Sequence, residues 1–215
     1  MVLGASGHGR EVADAIRQTA LRDSSWPSAP DGFLDDRAEL HGTLVGADRV
    51  VGGIVGFRGA GARAVLGVGY PESKHRVLKH AHQCGFEWPA LIHPESRRGA
   101  RVNFGRGCFV QAGCILTCDI DVAEFATINT GATINHDVRI GRLATISPGA
   151  HIGGNVIIEE GAFVGIGAAV KQRVRIGMWS VVGAGAVVVS DVPPNTVVTG
   201  VPARIREQRE SGWHE

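Results

Sequence analysis

The sequence predicts an α/β protein in two parts: a Rossmann-like N-terminal domain, then a parallel β-helix of hexapeptide repeats. Three observations carry this. From Phe104 to Val188 an aliphatic or aromatic residue returns at every sixth position, fifteen times without a break. Four residues after each comes a second series, Cys108 to Ala186, which is small or aliphatic at all fourteen positions. Ahead of both, a short apolar strand, a Gly-rich turn and a helical pattern open the chain.

A helix repeats every 3.6 residues and a plain strand every two, so neither gives a strict six. The hexapeptide period is the mark of a parallel β-helix. Each hexad is one short strand plus a turn, and three hexads close a triangular coil, so residues 18 apart stack. The first series fills the centre of the prism and the second sits where space narrows. A single coil cannot bury its own core, so coils must stack.

Composition limits the alternatives. The 31 glycines and 6% aromatic content suit a tightly cornered solenoid. A net charge of +1 gives no electrostatic footprint for nucleic acid. No apolar run approaches the roughly 18 residues of a membrane span. The start lacks a basic segment and a long apolar segment, so a signal peptide is not expected and the chain reads as cytoplasmic. Cys84, Cys108, Cys114 and Cys118 have no CxxC spacing. They read as reduced thiols, with no metal site expected.

In chain order, Val2-Leu3 is the first strand, short enough to suggest further residues upstream. The turn Gly4-Ala5-Ser6-Gly7-His8-Gly9 follows, and Val12, Ala15 and Ile16 lie on one face of a helix. Strand, glycine turn and helix N-terminus make a phosphate site, because backbone N–H groups can approach the oxygens. Gly32-Phe33-Leu34 is a second strand ending in Asp35-Asp36, where an acid can take a ribose or base donor. Residues 42–56 have no clear period. Ala64–Gly69 is a buried strand, with a helix near Glu72–Cys84. Residues 1–91 are thus expected to bind a nucleotide-linked ligand, being too few for a full dinucleotide fold. Residues 92–205 form the solenoid, with an irregular first coil because Arg98 is a poor core residue. Prolines 193, 194 and 202 take the chain out of the coil to cover its last edge. Residues 206–215 are polar and expected to be mobile.

His136 and Asp137 fall at the turn of the hexad that starts at Ile134, so both can leave the core. An imidazole can take a proton near neutrality, and a neighbouring carboxylate strengthens it as a base. Gly154 stacks 18 residues later and would leave room for a thioester. No Cys or Ser beside His136 completes a nucleophile pattern, which favours direct transfer. His93 and His151 read as ordinary structural histidines. Lys171, Arg173 and Arg175 read as a solvated face that could also meet phosphate.

The turn 4–9, Asp35-Asp36, the run Asn129-Thr130-Gly131-Ala132-Thr133-Ile134-Asn135-His136-Asp137 and the tail Gly200-Val201-Pro202-Ala203-Arg204 together resemble one family. It is the bacterial nucleotide-sugar acetyltransferases of the left-handed β-helix superfamily, grouped with sialic acid O-acetyltransferases and UDP-amino-sugar N-acetyltransferases. The resemblance implies a left-handed coil and a homotrimer, with acetyl-CoA between neighbouring prisms and the nucleotide-sugar substrate on the N-terminal domain. It implies His136 as general base, Asp137 as its acidic neighbour, and substrate contacts from Ser6, Gly7, His8, Asp35, Asp36, Gly69 and Asn129. Acetyl-CoA would meet Thr145, Gly154, Ile166 and Ala184. Many members carry a second histidine where this chain has Thr145, which cannot titrate near neutrality. The acceptor could be an amine or, as in the sialic acid enzymes, a hydroxyl. A sugar-nucleotide-binding scaffold without catalysis and a metal enzyme on the same solenoid are the rival readings.

Overall fold

A computed structural model describes residues 1–213. Its dominant feature is a β-solenoid with three parallel sheets, one per face of a triangular prism. The first face runs from Leu91–Ile92 through Phe109–Val110, Thr127–Ile128, Thr145–Ile146 and Phe163–Val164 to Val181–Val182. The second runs from Arg97–Arg98 through Ile115–Leu116, Thr133–Ile134, His151–Ile152 and Ala169–Val170 to Val187–Val188. The third holds Val102–Phe104, Ile120–Val122, Arg139–Ile140, Ile157–Ile158 and Arg175–Ile176. Every pairing among these strands joins residues 18 apart, as in Thr127 with Thr145 and Ile134 with Ile152.

The two sequence series become one apolar column. From Val110 to Val188 the first series is at most 3% exposed, and only Phe104 at the open end is half-buried. The second series is fully enclosed except Val174, at 5%. Ser180 is enclosed too, its hydroxyl donating to Gly177 O at 2.6 Å. Truncating one central isoleucine would cost about 2–5 kcal/mol, because stacked coils cannot collapse into the gap.

The corners turn through left-handed backbone, and each has its own chemistry. Between the first and second faces all five such positions, Gly113 to Gly185, are glycine. Between the second and third faces they are Arg101, Asp119, Asp137, Asn155 and Arg173. Between the third and first they include Phe125, Leu143 and Trp179, whose side chains are buried under the N-terminal segment.

That segment corrects the expectation of a Rossmann-like domain. Its sheet has five strands, β1 (Val2–Leu3), β2 (Phe33–Leu34), β3 (Leu44–Val45), β4 (Asp48–Gly52) and β5 (Val65–Leu66), in the order β3-β4-β2-β1-β5. All but β4 have two residues, and β3 is antiparallel to β4. The described residues hold only two α-helices, α1 (Gly7–Ala20) and α2 (Pro71–Ala81). A single helical crossover, α1, joins parallel strands, so no doubly wound domain forms. The physical reason is a shared core. Val12 and Ile16 of α1 pack with Leu91 and Phe109 of the solenoid, and Leu3 and Leu34 cluster with Phe125, Leu143 and Trp179. The segment is a flank of the solenoid's first face.

The solenoid's far end is closed as the sequence suggested. Thr196–Thr199 adds in parallel to Val181–Val182 and pairs antiparallel with Arg204–Gln208. Residues 206–208, expected in a mobile tail, therefore belong to a strand. Residues 214–215 of that expected tail lie outside the described residues. No described helix is long and apolar enough to cross a membrane.

Candidate functional site

His136 and Asp137 occupy the corner between the second and third faces. Asp137 takes the left-handed position there, with φ 59°, a conformation Asp tolerates better than most residues. The turn is held from both sides: Asp137 N donates to Cys118 O at 3.3 Å, and Asn155 N donates to His136 O at 2.9 Å. The His136 Nδ1 lies 2.7 Å from Asp137 Oδ2, and both side chains are more than half exposed. With the carboxylate accepting from Nδ1–H, the neutral ring keeps its lone pair on Nε2. The sequence suggested open space over Gly154. The structure puts the imidazole itself there: a Cβ on Gly154 would lie 2.7 Å from both Cε1 and Nε2 of His136.

On the first face, the glycine turn brings α1 close against the sheet. A Cβ on Gly9 would lie 2.1 Å from Gly4 O, and one on Gly67 would lie 2.5 Å from the same oxygen. The Ser6 hydroxyl donates to Gly67 O at 3.3 Å instead of capping α1. No acidic residue lies in the first turn of α1, which suits an anion at its N–H groups.

Asp35 is engaged on all sides. It accepts from Ala5 N at 2.8 Å, and from Arg37 Nε and Nη2 at 2.9 and 2.8 Å. The Arg37 fork holds its carboxyl down at about 2. Asp36 accepts from Ile54 N and Val55 N, at 2.7 and 3.0 Å, and meets His80 Nδ1 at 2.7 Å. Asp36 is the more open of the two.

Gly69 links this segment to the solenoid, its carbonyl accepting from Thr145 Oγ1 at 2.7 Å. A Cβ on Gly69 would stand 3.7 Å from the His8 ring. His8 leans on Phe109, with ring centroids 5.8 Å apart, and its Nδ1 meets Glu11 Oε2 at 2.9 Å. Burial pushes the His8 imidazole below its ordinary pKa, and its Nε2 is enclosed without a partner. Asn129 lies at the end of the same face, its Nδ2 donating to Ile146 O at 2.9 Å.

The expected residues therefore fall into separate groups. His136, Asp137 and Gly154 share the corner between the second and third faces. Ser6, Gly7, His8, Gly69 and Thr145 gather on the first face, with Asp35 and Asp36 at the ends of its flanking strands. Asn129, Ile166 and Ala184 line the all-glycine corner, and Ile166 is 62% exposed. In a triangular coil the corner of His136 lies opposite the first face, so one chain does not bring the base to Gly69 or Thr145. Sequence reasoning missed Glu11, Gln111, Lys74 and Cys118. Two of them were open to the 18-residue spacing, since Gln111 stacks under Asn129 and Cys118 under His136.

Comparisons with known proteins agree with the fold. No protein-family model and no curated protein sequence matches the chain. Among solved structures, the acetyltransferase domain of PglB from Neisseria gonorrhoeae superposes with a TM-score of 0.84 at 30% identity, over 95% of this chain and 98% of that one. That domain has also been solved in complex with acetyl coenzyme A. PerB from Caulobacter crescentus, in complex with CoA and GDP-perosamine, matches with a TM-score of 0.82 at 30% identity, over 96% of each chain. WeeI from Acinetobacter baumannii matches with a TM-score of 0.84 at 28% identity, over 95% and 98%.

Proposed function

The chain belongs to the nucleotide-sugar acetyltransferases of the left-handed β-helix family, and from that premise we propose that it acetylates the amino group of a nucleotide-linked aminodeoxy sugar with acetyl-CoA. The observation that carries the mechanism is the His136–Asp137 contact of 2.7 Å, which leaves the lone pair on Nε2, over Gly154 at an exposed corner. The sugar amine attacks the thioester carbonyl while His136 Nε2 takes its proton. The tetrahedral intermediate then collapses, the C–S bond breaks, and the imidazolium returns the proton to the CoA thiolate. No covalent enzyme intermediate is needed. Backbone N–H groups at the adjoining turns are the available donors for the oxyanion.

The substrate divides between the two parts of the fold. The open N–H groups at the start of α1 take the diphosphate, Ser6, Gly7, His8 and Gly69 line the sugar side, and Asp36 faces the nucleoside. Acetyl-CoA runs along the all-glycine corner past Ile166 and Ala184. The base lies across the prism from the acceptor-binding face, so a second copy must supply it. That requirement supports the homotrimer, whose threefold closure gives every site the same pair of neighbours. The dependence on acetyl-CoA supports a cytoplasmic location.

The test is product mass from a panel of UDP-, dTDP-, GDP- and CMP-linked amino and hydroxy sugars, each with acetyl-CoA. The expected result is one acetyl group on an amine, with a rate about 10²–10⁴-fold lower in His136→Ala, the usual range for losing a general base. Acetylation of a hydroxyl only would move the chain to the O-acetyl reaction. Binding without turnover across the panel would favour a scaffold. Light scattering that found an active monomer would remove the shared site.

A further inference from the structure

We propose that Gln111 is a positioning residue of the acceptor site, setting at once the sense of the Asn129 amide and the tautomer of His8. The inference rests on the acceptor site proposed above but uses a residue outside it. Gln111 is 7% exposed and stacks one coil below Asn129. Its Nε2 donates to Asn129 Oδ1 at 3.1 Å and to Glu11 Oε2 at 3.2 Å. Its Oε1 accepts from the Thr130 hydroxyl. Both N–H groups and the carbonyl are thus in use, which fixes which way the amide faces.

Two consequences reach the site. Asn129 has its oxygen taken by Gln111 and one N–H taken by Ile146 O, so a single N–H remains. Asn129 can therefore donate one hydrogen bond to a ligand oxygen, and its own oxygen keeps a single lone pair. Glu11, steadied by Gln111, accepts from His8 Nδ1 at 2.9 Å through the same Oε2 atom. The proton is then on Nδ1, and the unpartnered Nε2 beside Gly69 is an acceptor. Together the two side chains present a fixed polar complement, a donor on Asn129 and an acceptor on His8. Without Gln111 the Asn129 amide could flip and His8 could exchange tautomers, and that complement would be lost.

Gln111→Met keeps the length of the side chain and removes all three hydrogen bonds. Selectively ¹⁵N-labelled histidine, with the His8 signals assigned by comparison with His8→Gln, reports the tautomer in the free protein. Wild type should show a single Nδ1-protonated pattern for His8, and Gln111→Met a mixture. In kinetics, the variant's kcat/KM for the sugar nucleotide should fall about 10–100-fold, with the KM for acetyl-CoA within about twofold. A His8 pattern unchanged by the substitution overturns the inference, as does an equal loss for both substrates with a lowered Tm, which is a merely structural effect. If wild type turns over no sugar nucleotide, the proposed function falls, while the nitrogen spectra still decide the Gln111 network.

Discussion

The imidazole of His136 occupies the volume that a side chain on Gly154 would need. A Cβ there would sit 2.7 Å from the ring, well inside van der Waals contact. The neighbour is the far end of an exposed side chain, so the ring can swing away at little cost in stability. Gly154→Ala should therefore fold normally and lose activity by displacing Nε2. A fall in kcat of about tenfold or more is expected, in line with the sensitivity of rate to misplacement of about 1 Å. A Gly154→Ala enzyme with wild-type kcat would show that this ring position is not the working one.

Asp137 holds His136 by its Nδ1 and lies in a left-handed turn. Two substitutions separate these roles. Asp137→Asn keeps an acceptor oxygen and a residue suited to the turn, and should retain most of the activity. Asp137→Gly keeps the turn without the acceptor and should lose about tenfold or more in kcat, with the KM for acetyl-CoA nearly unchanged. Rates near wild type in both variants would mean that the carboxylate does not orient the base.

Cys118 stacks directly beneath His136 and is the one cysteine of the four that is not buried. Asp119, hydrogen-bonded to it, keeps its thiol protonated above the ordinary cysteine range, while burial pushes Cys108 up to about 12 and Cys114 up to about 11. Alkylation of the native protein should add one label, at Cys118, slowly at neutral pH and faster as pH rises. Saturating acetyl-CoA should slow the reaction, because a thioester running along one prism's all-glycine corner must reach His136 of the neighbouring copy. Intact mass and peptide mapping measure both effects, and labelling that acetyl-CoA leaves unchanged would place the cofactor elsewhere.

The solenoid was legible because its physics repeats. A core position recurring every six residues marks its own strand, and the 18-residue stacking by itself sets His136 against Gly154. The N-terminal segment was less legible. The Val2–Gly9 pattern does give a strand, a turn and a helix, and Val65–Leu66 is a buried strand. The pattern could not reveal that these elements share their core with Phe109, Phe125 and Trp179, because no local period encodes packing between distant segments. Motif matching gave His136 and Gly69 roles in one reaction shared between neighbouring prisms, and it could not say how far apart they lie within one chain; the triangular coil places them across the prism. Lys74 also escaped notice, since a lysine in a helical stretch of charged residues reads as solvated.

Lys74 is fully enclosed, and it is held by oxygens that carry no charge. Its Nζ donates to Phe125 O and Ala144 O, each at 3.1 Å, and to Thr127 Oγ1 at 3.3 Å. It thus ties α2 to two successive coils beside Thr145. Burial lowers its pKa well below the ordinary 10.5, because an ammonium loses its hydration there. The sign follows from proton counting. Between the lowered folded value and the ordinary unfolded one, the unfolded chain binds more protons than the folded chain, so stability rises with pH across that window. Below the window the folded state carries the full cost of a buried charge. Lys74→Met fills the same space without that charge, and such replacements of buried ions are often neutral or stabilising by about 1–4 kcal/mol. The lost donors to Phe125 O and Thr127 work against the gain. Denaturant unfolding should then place Lys74→Met closest to, or above, wild type near neutral pH. Wild type should gain on it as pH rises towards about 10, near the ordinary lysine range. A stability difference that stays constant with pH would mean that Lys74 does not change its charge on folding.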